Sequence, residues 1–398
     1  MISRRAQNIV PSATTEFSAR IAELRRKGEK IIGLNVGEPD FPPPDNVRLA
    51  AILAVADSDG HSKYDLVPGM LSLREAICAK LERDNGLKYT PSQICASSGA
   101  KNALENAMMA LLNPGDEVII PSPCWVSYTE MIKLADGVPV LVPMSYEDGY
   151  ALNVAKIAEH VTPKTKAVLL CDPQNPTGAV YTEQALRELA ELAVKKNFYV
   201  LSDEIYEKLV FGGAKHVSIA SFGREIQDRT VIVNGMSKAY AMPGWRLGYT
   251  AAPADVARAI SAIQGHAMSH PSRIAQYAGL EALNGPQDSV ERMRKEYARR
   301  RDVSYNAFAS MPGVKLRKPE GAFYLFPNVE GALGRRFGNY IMKTSQDLAE
   351  CILNEAKVAV VFGEAFYGKG CLRISYTASM PEVKEAMERI GSIFAALK

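Results

Sequence analysis

The chain has 398 residues, 47% of them hydrophobic, enough for a large core and, on length alone, two or three domains. Its 47 basic and 44 acidic residues leave a formal charge of +3, and no Lys/Arg run is long enough to track a phosphate backbone, so no nucleic-acid partner is expected. The longest apolar stretches, such as Lys166 to Cys171, fall far short of the roughly 20 residues of a membrane span.

Six cysteines (Cys78, Cys95, Cys124, Cys171, Cys351, Cys371) show neither a CxxC pair nor a disulfide-framework spacing, and Met1 to Arg5 lead into no apolar signal core. A reducing, cytoplasmic location is expected on that basis. The five histidines are scattered, and no metal site is expected. No internal repeat or low-complexity tract interrupts the chain.

In chain order, the first predicted element is a helix over 15–27, whose apolar residues Phe17, Ile21 and Leu24 recur at helical spacing. The turn-rich segment Gly37-Glu-Pro-Asp-Phe-Pro-Pro-Pro44 follows it. Short apolar, β-branched runs then alternate with helical patterns: 117–121, 138–142, 167–171, 199–202, 230–233 and 247–251. That alternation predicts an α/β layer around a mostly parallel, buried sheet. A charged helix over 289–306 reads as a connector, followed by strands near 314–316 and 321–326 and a final helix. The expected division is an N-terminal segment 1–40 packing with the small domain, a large domain 41–285 and a small C-terminal domain 286–398.

Open α/β sheets place ligands at their strand ends, and three ends here carry reactive groups. Cys171-Asp-Pro-Gln-Asn-Pro-Thr-Gly178 places the Asn175 amide at the sheet edge, although a proline-rich loop accounts for it equally well. In Leu201-Ser-Asp-Glu-Ile-Tyr206 a carboxylate closes an apolar strand and a phenol follows three residues later. A carboxylate there is costly unless paired, and the protonated ring nitrogen of pyridoxal phosphate (PLP) is such a partner. A helix-capping Asp and a core Tyr are the plainer alternatives. In Asn234-Gly-Met-Ser-Lys-Ala-Tyr-Ala-Met-Pro-Gly-Trp-Arg-Leu-Gly248 one lysine follows a buried strand and an arginine lies eight residues on. A desolvated lysine shifts to the neutral amine that condenses with an aldehyde. Ser237 and Arg246 suit a phosphate. A lone lysine is usually a solvated charge, but this pattern favours the functional reading.

With these motifs in order, the sequence resembles the class I aminotransferases of PLP fold type I, most of all the prokaryotic aspartate aminotransferase subgroup. The likeness covers nearly the whole chain and also takes in Asn35-Val-Gly-Glu-Pro-Asp-Phe41, Lys63-Tyr64, Ser98-Gly-Ala-Lys-Asn-Ala-Leu104, Pro121-Ser-Pro-Cys-Trp125 and Leu372-Arg-Ile-Ser375. It implies a large domain with a mostly parallel sheet sandwiched by helices plus a smaller α/β domain. The implied cofactor is pyridoxal 5'-phosphate, bound to Lys238 as a Schiff base. Asp203 would pair with the ring nitrogen, Tyr206 and Asn175 would bond the ring hydroxyl oxygen, and Trp125 would stack on the ring. The phosphate would lie against Gly99, Ala100, Lys101, Ser237, Arg246 and a Tyr64 supplied by the second chain of a homodimer with shared sites. Arg373 would clamp the substrate α-carboxylate beside Asn175 and the Gly37 backbone. Cys124 stands where a tyrosine is common in relatives.

The implied activity is ping-pong transfer of an amino group between an amino acid and a 2-oxo acid. Lys101, Thr14 and a serine from the partner chain's loop near Ser269 to Ser272 would read a side-chain carboxylate, which favours aspartate and glutamate. An aromatic or prephenate aminotransferase is the runner-up, with Ile9, Val10 and Phe17 as entrance-lining residues. A PLP-dependent lyase or synthase shares the lysine constellation. A dinucleotide dehydrogenase would need a GxGxxG after its first strand, and the chain has none.

Overall fold

The computed structural model describes residues 2–10, 13–57 and 61–398, apart from the side chains of 4–5 and 13–16. Fourteen strands follow in order: β1 Ile32–Gly33, β2 Ile94–Ser97, β3 Glu117–Ser122, β4 Val138–Pro143, β5 Thr165–Cys171, β6 Tyr199–Asp203, β7 Thr230–Gly235, β8 Gly248–Ala251, β9 Tyr324–Leu325, β10 Arg336–Phe337, β11 Tyr340–Ile341, β12 Val358–Ala359, β13 Val361–Phe362 and β14 Leu372–Ser375. The first six helices are α1 Arg4–Gln7, α2 Ala13–Arg26, α3 Asp45–Ala56, α4 Leu71–Asn85, α5 Ala100–Leu111 and α6 Ser127–Leu134.

Seven strands form the central sheet in the order β2-β8-β7-β6-β5-β3-β4. Only β8 runs against its neighbours, antiparallel to β2 and β7; the other pairings are parallel. Every residue of β7 is buried, as a central strand of a sheet covered on both faces requires. The α5 residues Ala103, Leu104, Ala107, Met108 and Leu111 are buried. Their spacing makes one face of the helix apolar, and that face is the one packed inward. The α/β fold with a mostly parallel sheet is therefore what the residues build.

The six strand runs read from sequence all form. Two local expectations do not. Residues 314–316 make no strand and contribute only the isolated bridge Lys315 to Asn328, and within 321–326 only Tyr324–Leu325 is a strand. The connector helix is longer than its charge pattern suggests, spanning Asp288–Ala309.

Two smaller pairings bring the ends of the chain together. Ile32 and Gly33 of β1 pair in parallel with Val358 and Ala359 of β12. Phe17 and Ile21 of α2 pack with Ile31, Leu353 and Ala359. The antiparallel sheet β13-β14-β9 carries Arg373 on its central strand, and the Ser375 N–H donates to the Leu34 carbonyl at 2.8 Å. Thus the 34–37 segment is laid along the edge of β14, facing the ends of the central strands.

Candidate active site

A cavity of about 500 Å³ opens at the C-terminal ends of the central strands. It is lined by Gly37, Ala100, Lys101, Trp125, Asn175, Asp203, Tyr206, Ser237, Lys238, Arg246 and Arg373, all singled out from sequence, and also by Ser18, Leu104, Tyr128, Cys171, Tyr324 and Phe366.

Lys238 follows β7 and donates from Nζ to the Gly37 carbonyl at 2.6 Å. The glycine is required by space: a Cβ at 37 would overlap the Tyr324 hydroxyl. Burial pulls the Lys238 amine down to about 8, against opposition from Glu38. At pH 7.5 about a quarter of such an amine is neutral, against roughly one part in a thousand for an ordinary lysine.

Asp203, the last residue of β6, is buried. Its Oδ2 accepts from the Tyr128 hydroxyl at 2.7 Å and its Oδ1 from the Ile205 N–H at 3.2 Å. Burial lifts its carboxyl to about 6, and the Tyr128 bond works in the opposite direction. Tyr128 also sets its ring edge-on against Trp125, centroids 5.2 Å apart. Tyr206 shares a 2.8 Å hydroxyl contact with Tyr324.

Arg373 is buried and donates from Nη2 to the Asn35 carbonyl at 2.7 Å and from Nη1 to Asn175 Oδ1 at 3.3 Å. Its Nε is buried without a partner. The guanidinium lies 4.7 Å from the Tyr324 ring centre and 4.5 Å from that of Phe366, stacking that fixes its plane. On the other side, α5 begins at Ala100 with Gly99 as its N-cap, at φ +85°. A side chain at 99 would run into the Arg246 guanidinium, so glycine keeps that cation against the helix start. Lys101 Nζ rests 4.8 Å above the Trp125 ring; burial and then Arg246 push its amine below the ordinary lysine range.

Tyr64 lies outside the cavity and is 89% exposed. The Thr14 side chain falls outside the described residues. Ile9, Val10 and Phe17 do not line the cavity; Phe17 is instead packed with Ile21 and Leu353, and its neighbour Ser18 faces in. Cys124 is buried and contributes its N–H to the Phe366 carbonyl at 3.0 Å, so the departure at this position lies in the core behind the cavity. Tyr128 and Tyr324 were missed in the sequence. Their partners are 75 and 118 residues away, and no local spacing signals such contacts.

The family model for aminotransferase class I and II matches residues 29–390. The chain belongs to the class I and II aminotransferases. It is 42% identical to an aspartate aminotransferase of Bacillus sp. strain YM-2 over 98% of each chain. It is 43% identical to a probable aspartate/prephenate aminotransferase of Aquifex aeolicus, over 98% of this chain and 97% of the other. The crystal structure of the aspartate aminotransferase from Rhizobium meliloti superposes with a TM-score of 0.96 at 40% identity, covering 100% of both chains. The aminotransferase from Thermus thermophilus, solved with maleate, gives 0.92 at 40% identity over 99% of each.

Aminotransferases of this class use pyridoxal 5'-phosphate, and the residues here fit that group. A buried carboxylate with only a phenol and one backbone N–H as donors calls for a cationic partner. A helix start narrowed by Gly99 and flanked by Arg246 suits a phosphate. An amine with lowered proton affinity stands between the two. No helix among the described residues is long and apolar enough to cross a membrane, and the reactants of an aminotransferase are small molecules.

Proposed function

We propose that this aminotransferase prefers aspartate and glutamate, with their 2-oxo acids, and runs a ping-pong cycle. The observation that carries the substrate reading is Lys101, a desolvated amine that, with Lys238 and Arg246 assigned to the cofactor, leaves two cations in the cavity, itself and Arg373. Two cations in one cavity suit the two carboxylates of a dicarboxylic amino acid.

The roles proposed for the residues follow from their places. Lys238 would hold the cofactor until the substrate amine displaces it, and its freed Nζ would then take the substrate α-proton and return it. Asp203 would hold the ring nitrogen protonated, and Tyr206 and Asn175, which line the same cavity, would bond the ring hydroxyl oxygen. Ser237, Arg246 and the N–H groups of Gly99, Ala100 and Lys101 hold the phosphate. Trp125 covers the ring, and Arg373 orients the α-carboxylate so that the α-C–H bond faces Lys238. When bound, pyridoxal 5'-phosphate supplies the electron sink that lets that bond ionise. Thr14 is proposed beside Lys101 on the likeness alone.

A homodimer with shared sites is part of this reading. Leu49, Ile52 and Leu53 form an exposed apolar row on α3, which suits a self-complementary interface, and the Tyr64 side chain, set edge-on against His270, is exposed to a second chain. The division into 1–40, 41–285 and 286–398 is proposed on the same footing, supported by the pairing of β1 with β12. A reducing, cytoplasmic setting accords with six free cysteines.

An aromatic or prephenate preference is the second reading, favoured by the Lys101 amine lying on Trp125, where it could leave its ring contact to admit an apolar side chain. A charge-assisted bond is worth about 1.5–3 kcal/mol, or roughly one to two decades of selectivity. The test is kcat/KM for aspartate, phenylalanine and alanine in the wild type and in Lys101→Ala. The variant is expected to lose aspartate activity selectively. Equal loss for aspartate and phenylalanine removes Lys101 as the selector, and a wild type that prefers phenylalanine overturns the aspartate reading.

A further inference from the structure

Cys171 and Asp203 line the cavity, but the residues next to them, Asp172 and Glu204, do not; side chains alternate at strand ends. Asp172 and Glu204 meet instead at His216. The His216 ring contacts Asp172 Oδ2 through Nδ1 at 3.0 Å and lies 3.3 Å from Glu204 Oε2 through Nε2. All three side chains are at least nine-tenths buried, at 6% (His216), 3% (Asp172) and 0% (Glu204) exposure. Ser202 and Ser218 donate to Glu204 Oε1 at 2.9 and 2.6 Å, and the Tyr181 N–H donates to Asp172 Oδ1 at 2.9 Å. The Asp172 N–H donates to the Asp203 carbonyl at 3.0 Å, so the two strand ends are joined at the backbone as well.

We propose that His216 is a positioning residue of this aminotransferase: as an imidazolium it clips Asp172 to Glu204 behind the cavity and so sets the place and the proton affinity of Asp203. The proposal rests on the reading of Asp203 as the partner of the cofactor's ring nitrogen. Two buried carboxylates side by side need a cation between them. With His216 charged, the three groups sum to −1; with a neutral side chain there, they sum to −2. Glu204 already raises the proton affinity of Asp203, and removing the cation would raise it further.

Burial pulls the His216 ring down, but its hydrogen bond to Asp172 and its close contact with the Glu204 carboxylate outweigh that and push it up to about 10. The clip is therefore charged throughout the neutral range. Because this folded-state value lies above the ordinary one near 6.5, its contribution is full below about 6.5 and fades as pH rises through about 10. The other charges around it come from the turn after β6 and from α4, and they are already paired: Glu207 with Lys80 and with Asn85 at 3.1 Å, and Lys208 with Asp84 at 2.8 Å. Glu204, Glu207 and His216 have the spacing of a cation site. Lys80 already holds Glu207, however, so the positive charge that Glu204 lacks is supplied by the proton on His216 rather than by a metal.

The test is the dissociation constant of pyridoxal 5'-phosphate for the full-length protein. Measured at pH 5, below the Asp203 value of about 6, His216→Gln should weaken binding by roughly tenfold or more, since there one pK unit on Asp203 is a factor of ten in its ionised fraction. His216→Gln with Glu204→Gln returns the cluster to −1 and should recover binding to within about threefold of wild type, a rescue that lost packing would not give. A single variant within threefold of wild type, or a double variant as weak as the single, overturns the proposal. Stoichiometric zinc in the purified wild type would do the same. Should the single variant not fold, the ¹⁵N shift of His216 in the wild type at pH 8 decides: a protonated ring supports the clip and a neutral one overturns it. Asp203→Asn separates the two layers. Unchanged affinity there overturns the Asp203 reading and the clip with it, whereas weak binding in Asp203→Asn beside an unchanged His216→Gln overturns the clip alone.

Discussion

Replacing Arg373 with lysine keeps the charge and removes the planar fork. In the structure one Nη donates to the Asn35 carbonyl, the other to Asn175, and the buried Nε has no partner, so the fork has donors free for a carboxylate in the cavity. A lysine ammonium can replace one of two such bonds but not both, and a hydrogen bond to a charged group is worth about 1.5–3 kcal/mol. The guanidinium also loses its stacking on Tyr324 and Phe366, at about 0.5–1 kcal/mol. The expected loss is about 2–4 kcal/mol, or roughly 30-fold to 1,000-fold in kcat/KM. Steady-state kinetics over several amino donors check this, and the loss should be common to all of them, because every amino acid carries the α-carboxylate. Values within threefold of wild type, or a loss confined to aspartate, would refute the placement of Arg373 at the α-carboxylate.

Tyr128→Phe removes the hydroxyl that holds Asp203 as a carboxylate. Cofactor affinity in the wild type should fall as pH drops through about 6, and in the variant the same limb should move to higher pH; titrations between pH 5 and 8 read it, and superimposable curves would remove Tyr128 from the site. Lys238 makes an opposite prediction for the cofactor-free protein. Its folded-state value of about 8 lies below the ordinary 10.5, so the charged amine costs stability fully below pH 8, and the cost vanishes as pH rises toward 10.5. Lys238→Met should therefore melt at a higher temperature than wild type at pH 7, the difference shrinking between pH 8 and 10.5. A variant less stable than wild type at pH 7 contradicts a desolvated amine.

The central sheet was legible because its strands carry continuous β-branched runs, such as Thr230 to Val233, bounded by turn residues. Ile94–Ser97 was not, since Ile-Cys-Ala-Ser has little strand character and is held at the edge by its pairing with β8 and by distant partners such as Pro68 and Gln264. The 314–316 run has apolar residues but finds no neighbour beyond one bridge. Within the site, Asp203 and Lys238 stand at or just beyond the ends of β6 and β7 and Arg246 just ahead of the antiparallel β8, and their chemistry follows from position. Tyr128, Tyr324 and His216 make their contacts across the chain, which depend on how the helices and loops pack. Phe17 sits at a helical spacing that marks an inward face, but that face turns to Leu353 rather than to the cavity.

The central claim is that Lys238, and no other amine in the cavity, carries the cofactor. Lys101 is the natural competitor, because it lines the same cavity and its proton affinity is also lowered. Reduction of the loaded enzyme with borohydride, followed by peptide mass mapping, separates them. The cofactor mass is expected on the peptide containing Lys238 alone, at one per chain; attachment at Lys101, or none at either lysine, would contradict the account.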